Sequence, residues 1–319
     1  MDGERPDPPD PAVGAQLFHH TSPDEDSARW SDFSFRQGDI VISTRSKSGT
    51  TWMQMICLLL VHQAPNLPAS LGALSPWMDW KVQHKEVVWG LLEAQPFRRV
   101  IKTHTPLDGV PIDDDVTYIV MGRHPLDMAV SLYHQGDNID RERMGELTGR
   151  PVPETVAPYD VSGERRPRPP VEQWLHNFVD WDPDPRQQLD SLPGIMFHLT
   201  DAWERQAEAD VVLVHYDDLL HDLDGSMRRL ARLLGLPEDE ARWPSLVHAA
   251  SFDDMRAHAE AAVPDAMGVL KDPRAFFRRG GSGEGRRLLG DEELARYHAR
   301  VAELAPADLL AWLHRDESP

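Results

Sequence analysis

The stretch Ile40-Val41-Ile42-Ser43-Thr44-Arg45-Ser46-Lys47-Ser48-Gly49-Thr50-Thr51-Trp52 decides the fold. Its first half is a short β-branched run that, with its neighbours, predicts a buried strand over residues 39–44. Its second half opens a helix predicted over residues 50–63, where Trp52, Met53, Met55, Ile56, Leu58, Leu59, Leu60 and Val61 cover nearly every side. A helix that apolar has to be buried. Between them lie small hydroxylated residues, one glycine and one lysine. Backbone N–H groups at a helix N-terminus favour negative charge, Gly49 lets the main chain approach a ligand, and Lys47 adds a mobile point charge. The loop therefore reads as an anion cradle. It lacks the Gly-x-x-x-x-Gly-Lys-Ser/Thr pattern of nucleoside-triphosphate loops. The plainer reading has Gly49 making a turn and Thr50 or Thr51 capping the helix.

Outward from this unit, three more Val/Ile-rich runs predict strands at 99–104, 116–122 and 211–216. Pro125 stands at the first turn of a helix through 127–135. A further helix over 224–234 has Leu230, Leu233 and Leu234 facing inward and Gly235 as its stop. Strands alternating with helices imply an α/β fold, a mainly parallel sheet flanked by helices. A chain of 319 residues fits one such domain over 31–319. Residues 1–30 read as a flexible N-terminal segment, and 136–170, rich in Pro, Arg, Glu and Gly, as a lid-like or partly disordered insertion.

The formal charge of −20 opposes general nucleic-acid binding, so an anionic ligand needs a local basic site. Lysines occur only at positions 47, 81, 85, 102 and 271, and two of the five fall in the motifs argued here. A single cysteine, Cys57, forms no internal disulfide and suits a reducing compartment. Neither a leader pattern nor a membrane-length apolar run is present, so the expectation is a cytoplasmic protein without membrane anchoring. His-Glu-x-x-His and Cys/His metal patterns are missing, and no metal is expected.

Ile101-Lys102-Thr103-His104 ends the second predicted strand, and alternation sends Lys102 and His104 to one face. An imidazole there can take a hydroxyl proton while the ammonium neutralises developing charge. After the third strand come Arg123 and, in the next helix, Ser131, suited to gripping a phosphate. Near the C-terminus, Arg278-Arg279-Gly280-Gly281-Ser282-Gly283 forms a second basic, glycine-rich loop. The Lys47 loop, His104, Arg123 and Tyr216 all fall at the carboxyl ends of the predicted strands, where open parallel sheets bind ligands.

Residues 47–52, Lys-Ser-Gly-Thr-Thr-Trp, resemble the donor loop of the cytosolic sulfotransferases letter for letter. Lys102-Thr103-His104, the register from Arg123 to Ser131, and the loop at 278–283 resemble that family's further elements. The resemblance implies a P-loop-like sulfotransferase fold and transfer of a sulfuryl group from 3′-phosphoadenosine 5′-phosphosulfate, with its 3′,5′-bisphosphate (PAP) as product. By resemblance, Lys47, Ser48, Gly49, Thr50 and Thr51 hold the phosphosulfate end, and Trp52 stacks on adenine. Arg123, Ser131, Arg278, Arg279 and Gly280 hold the 3′-phosphate, Tyr216 and Phe252 line the adenine pocket, and His104 is the base with Lys47 and Lys102 as catalytic cations. Arg45-Ser46 replaces the family's Tyr-Pro, which leaves Arg45 as a possible phosphate contact, and Ala250 replaces a threonine. The family's dimer motif is not recognisable around residues 286–295, so the oligomeric state stays open. The implied partner is a small hydroxyl acceptor, aromatic or otherwise apolar, beside Trp77, Met78 and Trp80. A magnesium-dependent small-molecule kinase on the same cradle, and a nucleotide-binding protein without turnover, are the competing classes.

Overall fold

The computed structural model describes residues 17–149, 168–207, 210–263, 265 and 267–315. Four parallel strands, β1 (Ile40–Ser43), β2 (Val100–Thr103), β3 (Thr117–Gly122) and β4 (Val211–His215), form one sheet in the order β2-β1-β3-β4. Val41 pairs with Ile101 on one side and Tyr118 on the other, and Met121 pairs with Val214. The strand order reverses between β1 and β3, which opens a crevice beyond their carboxyl ends.

Period-two alternation splits the apolar residues of the sheet between two cores. Val41, Ile101, Tyr118 and Val120 join one; Ile40, Ile42, Val100, Ile119 and Met121 join the other. The second core is closed by α1 (Thr50–His62), ten of whose thirteen residues are buried, Cys57 among them. The first is closed by α2 (Pro125–Asn138), α4 (Val171–Asp180) and α5 (Leu192–Arg205), through Leu126, Val130, Trp174, Phe178, Ile195 and Leu199. Between α2 and α4 lies α3 (Arg141–Thr148). The result is three layers with the sheet buried on both faces, as all-parallel sheets require.

At the opposite, amino-terminal end of the sheet Asp39 and Arg99 pair across the starts of β1 and β2, with 1% and 0% of their side chains exposed. Arg99 Nε donates to Asp39 Oδ1 at 2.9 Å, and other guanidinium nitrogens reach Glu93 and the Ser34 carbonyl at 3.0 Å.

Several expectations shift in detail. β1 and β2 are each shorter than predicted by one residue at both ends, and β3 and β4 by one residue at a single end. At the helix Leu223–Leu233, Leu230 and Leu234 are buried four residues apart on one stripe, but Leu233 is 52% exposed, because it stands one residue, about 100° of rotation, from Leu234 and off that stripe. Gly235 follows with φ +63°, the left-handed stop expected of it. Packing begins before residue 31. From residue 17 the chain is an arm whose Trp30 is fully buried against Phe33 and Phe35, and whose His20 imidazole is hydrogen-bonded to Asp108 at 2.6 Å. The remainder of the expected N-terminal segment, 1–16, lies outside the described residues. In the expected insertion, 136–149 is helical at the end of α2 and through α3, and 150–167 lies outside the described residues.

Candidate active site

The loop from β1 to α1 is shaped by two left-handed residues, Lys47 at φ +66° and Gly49 at φ +109°. At Gly49 a Cβ would stand 2.9 Å from Met121 Cε and 2.9 Å from Tyr216 Cδ2, so glycine is required by both conformation and space. Ser48 Oγ donates to the Arg45 carbonyl at 2.6 Å, and the side chains of Thr44 and Thr50 are hydrogen-bonded across the turn. Among the described residues no side chain caps α1, so its leading N–H groups remain for a ligand.

A cavity of about 460 Å³ opens at this point, and the expected residues converge on it from six segments. Lys47, Gly49, Thr50, Thr51 and Trp52 supply one wall. Lys102 and His104 enter from β2, Arg123 and Ser131 from the end of β3 and from α2, and Tyr216 from the end of β4. Phe252, Arg278, Arg279 and Gly280 close the far side. Ser48 alone of the expected set is absent from the lining, since its hydroxyl turns inward to the Arg45 carbonyl.

Arg123 bridges two loops, donating to the Lys47 carbonyl at 2.8 Å and to the Gly281 carbonyl at 3.0 Å, with its guanidinium 4.3 Å from the Tyr216 ring centre. Its Nε is buried without a partner among the described residues. The loop it reaches carries Arg278 and Arg279, both paired to Glu284, whose carboxyl is held down to about 2 by the Arg278 hydrogen bond above all. Asp127 fixes this loop from α2 by accepting from Gly283 N–H at 2.7 Å and Gly285 N–H at 2.8 Å. Gly280, at φ +61°, lies so close to Phe252 that a Cβ would meet its ring at 2.4 Å. Trp52 meets Tyr216 edge-on at 5.5 Å and donates Nε1–H to the Ala250 carbonyl at 2.8 Å. That bond uses the main chain of position 250, whatever its side chain.

The cations crowd one another. Lys47 is brought down to about 7, by burial first and then by the charges of Arg123, Lys102 and Arg278. Lys102 is brought down to about 8 by burial, partly opposed by Asp79 and Glu25. Unpartnered Arg123 Nε, bare helix N–H groups, and glycine close approaches at 49 and 280 together suit a ligand with anionic groups at two separate places.

His104 is held on three sides. Its Nδ1 is hydrogen-bonded to the Thr44 carbonyl, its main-chain N–H donates to Asp79 Oδ2 at 2.9 Å, and its carbonyl accepts from Arg45. Burial, and then Lys102 and Arg45, hold the imidazole well below 6.5, so it is neutral at neutral pH. Trp77 packs edge-on against it at 4.6 Å, stacks on Trp80 at 5.3 Å, and lies 3.7 Å under the Lys102 ammonium. The Trp77-Met78-Asp79-Trp80 segment therefore seats Lys102 and His104, while Met78 is fully buried core.

Arg45 departs from the phosphate contact considered for it. It is 3% exposed and donates to Asp190 Oδ1 at 2.8 Å, with Glu25 at 3.8 Å, so its charge is committed away from the anion cradle. Sequence reasoning misses Glu25, Asp79 and Asp190 altogether. Each lies far along the chain from its partner, in a segment without periodic pattern.

Comparison with known proteins agrees with this geometry. Residues 37–305 match the family model described as the sulfotransferase domain. A glycolipid sulfotransferase of Mycobacterium bovis (strain BCG / Pasteur 1173P2) is 40% identical over 303 residues, covering 91% of this chain and 91% of that protein. Sulfotransferase 2B1 of Mus musculus is 25% identical over 272 residues, covering 82% and 70%. Among solved structures, mouse sulfotransferase SULT7A1 complexed with PAP superposes with a TM-score of 0.65 at 19% identity, covering 91% of this chain and 92% of that one. A family match over most of the chain, on a parallel sheet of matching fold, places it: the chain belongs to the sulfotransferase family and is a sulfotransferase.

Proposed function

We propose that this sulfotransferase draws its sulfuryl group from 3′-phosphoadenosine 5′-phosphosulfate and delivers it to one hydroxyl of a small amphipathic acceptor, with His104 as general base. The observation carrying this reading is the convergence of Lys47, Arg123 and Arg278 on the same cavity as Lys102 and His104. In it, the N–H groups of α1 with Lys47 hold the 5′ end of the donor, Arg123, Ser131 and the 278–280 loop hold the 3′-phosphate, and Trp52, Tyr216 and Phe252 enclose the adenine. The donor supplies an activated sulfuryl group.

The chain's own work is positioning and charge stabilisation, which loose group transfers require above all. His104 presents Nε2 as an acceptor, because its Nδ1 is engaged by the Thr44 carbonyl. There it takes the proton of the attacking hydroxyl. Lys102 and Lys47 neutralise negative charge that develops on the transferred group and on the phosphate left behind.

On the acceptor side, Ile139, Met144, Val269 and Leu270 give the cavity an apolar wall, and Glu25, Asp190 and Gln187 a polar one. A wholly apolar or aromatic acceptor would use only the first. The relatives 40% identical to this chain are named glycolipid sulfotransferases, and an acceptor with both a polar head and an apolar tail suits both walls. One domain, including the arm from residue 17, does this work. The direct test is incubation with the donor and a panel of hydroxyl acceptors, read by a mass gain of one sulfuryl unit and by release of PAP. Absence of both across apolar, aromatic and glycosidic alcohols, with magnesium-dependent consumption of ATP instead, would replace the reading with a kinase.

A further inference from the structure

Three charged side chains from three separate segments meet at the polar wall of the cavity. Glu25 comes from the N-terminal arm, where a β-bridge to Trp80 and a hydrogen bond from its N–H to Ser22 Oγ at 3.0 Å fix its backbone. Arg45 comes from the cradle loop. Asp190 comes from the turn before α5, and also accepts from Ser46 Oγ at 3.0 Å. The arm is secured at several further points. His20 is bonded to Asp108, Arg186 lies 3.2 Å from the same carboxylate, and Lys81 Nζ donates to the Ser22 carbonyl at 2.6 Å.

The hydrogen bonds among the three are unevenly shared. Arg45 satisfies the His104 carbonyl and Asp190, and its Nε is buried with no partner among the described residues. Glu25 is left with Arg45 at 3.8 Å, too far for a hydrogen bond, and its carboxyl accepts none from the described residues. Burial above all raises that carboxyl to about 7, while Arg45 and Lys102 lower it and Asp190 and Asp79 raise it. A carboxyl kept in a cavity wall without a donor is costly unless a ligand supplies one. Asp190 is 42% exposed and has accepting capacity to spare, and Gln187 and Gln188 line the same wall.

An acceptor with a single hydroxyl gives it to His104 and leaves Glu25 unsatisfied. One with neighbouring hydroxyls completes the wall. We propose that Glu25, with Asp190, accepts hydrogen bonds from the hydroxyls flanking the one that is sulfated, and so selects a carbohydrate-bearing acceptor. Glu25 is in this sense a specificity-determining residue that takes no part in the transfer itself. The inference rests on the sulfotransferase reading above, and adds to it the residues that read the acceptor.

The test uses n-octyl β-D-glucopyranoside and 1-octanol, which share a tail and differ in head group. With saturating donor, kcat and KM are measured for both acceptors on the wild type, Glu25→Gln and Glu25→Ala, with PAP affinity by calorimetry as the check of folding. Glu25→Ala is expected to lower the glucoside-to-octanol ratio of kcat/KM about ten- to a hundredfold, chiefly through KM, the effect of leaving a sugar hydroxyl in the cavity wall without its hydrogen-bond partner. Glu25→Gln, which keeps an accepting oxygen, falls less. An equal loss on both acceptors, or none, overturns the proposal. Should Glu25→Ala fail to bind PAP, the ratio is read from Asp190→Asn, whose unaltered value would likewise overturn it. Wild-type transfer to octanol alone defeats the carbohydrate inference and leaves the sulfotransferase reading standing. Transfer to neither defeats both.

Discussion

His104 Nδ1 is hydrogen-bonded to the main-chain carbonyl of Thr44, and since a carbonyl only accepts, the ring proton lies on Nδ1. Nε2 then carries the lone pair, on a residue that lines the cavity beside Lys102. Burial and two neighbouring cations keep the ring unprotonated at neutral pH. Replacing His104 by Ala is expected to cut kcat about 10²- to 10⁴-fold, the usual worth of a positioned base, while calorimetric PAP affinity stays near the wild-type value. Turnover close to normal would remove His104 from that role.

Lys47 gives the site a pH dependence whose sign can be worked out. In the free protein its pKa is lowered to about 7 by burial and by the charges of Arg123, Lys102 and Arg278. A bound polyanion favours the ammonium, so the pKa rises in the complex. A group whose pKa rises on binding takes up a proton when the pH lies between the two values, and affinity then falls as pH increases. PAP binding at about pH 8 is therefore expected to consume protons, seen as a difference in binding heat between two buffers of unlike ionisation enthalpy. Lys102, lowered to about 8, contributes in the same direction. Lys47→Met should reduce the uptake. Binding without proton uptake in the wild type would contradict this account.

What could be read in the sequence was what is local. β1, its loop and α1 form one contiguous unit, so composition alone exposes the cradle, and the glycine at 49 announces a backbone position that only glycine tolerates. His104 directly follows β2, two residues on from Lys102, and Arg123 and Ser131 share a strand–helix junction, so spacing serves for them too. What escapes is the partnering of residues distant in the chain. Asp79 meets His104 across 25 positions and Arg45 meets Asp190 across 145, and no periodicity links either pair. The N-terminal arm reads as loose because its composition is polar. It is held instead by specific bonds, such as Asp26 N–H to the Asp79 carbonyl at 2.9 Å, that leave no pattern in the sequence.

The pair Asp39–Arg99 shows the same limit with a consequence for stability. Both residues start predicted strands, yet only the register of β1 on β2 makes them partners. With both side chains out of water, replacing Arg99 leaves the Asp39 carboxyl buried without the guanidinium it faces. Arg99→Met is expected to destabilise the fold by about 3–5 kcal/mol, and the double replacement with Asp39→Val to recover much of that loss. Urea titrations of the two single variants and the double variant measure the coupling. Additive losses would mean the pair does not act as a unit.

Asp127 connects the fold to donor affinity without lying among the expected ligands. It is 3% exposed in the first turn of α2, and each of its oxygens accepts a main-chain N–H from the 278–285 loop. Gly285 packs so tightly on α2 that a Cβ would stand 2.5 Å from the Leu126 carbonyl carbon, and Ser282 is tied to Asp217. Arg278 is thus carried on a loop whose position α2 dictates. Asp127→Asn exchanges one accepting oxygen for an amide that cannot accept, leaving a buried N–H unpaired at a cost of about 1–3 kcal/mol. If that cost loosens the loop, PAP affinity falls about tenfold, and it falls through Arg278. The discriminating measurement is therefore the same substitution in an Arg278→Ala background, where the effect on affinity should largely vanish. A loss of equal size in both backgrounds would show that Asp127 supports the fold in general, with no special hold on the arginine loop.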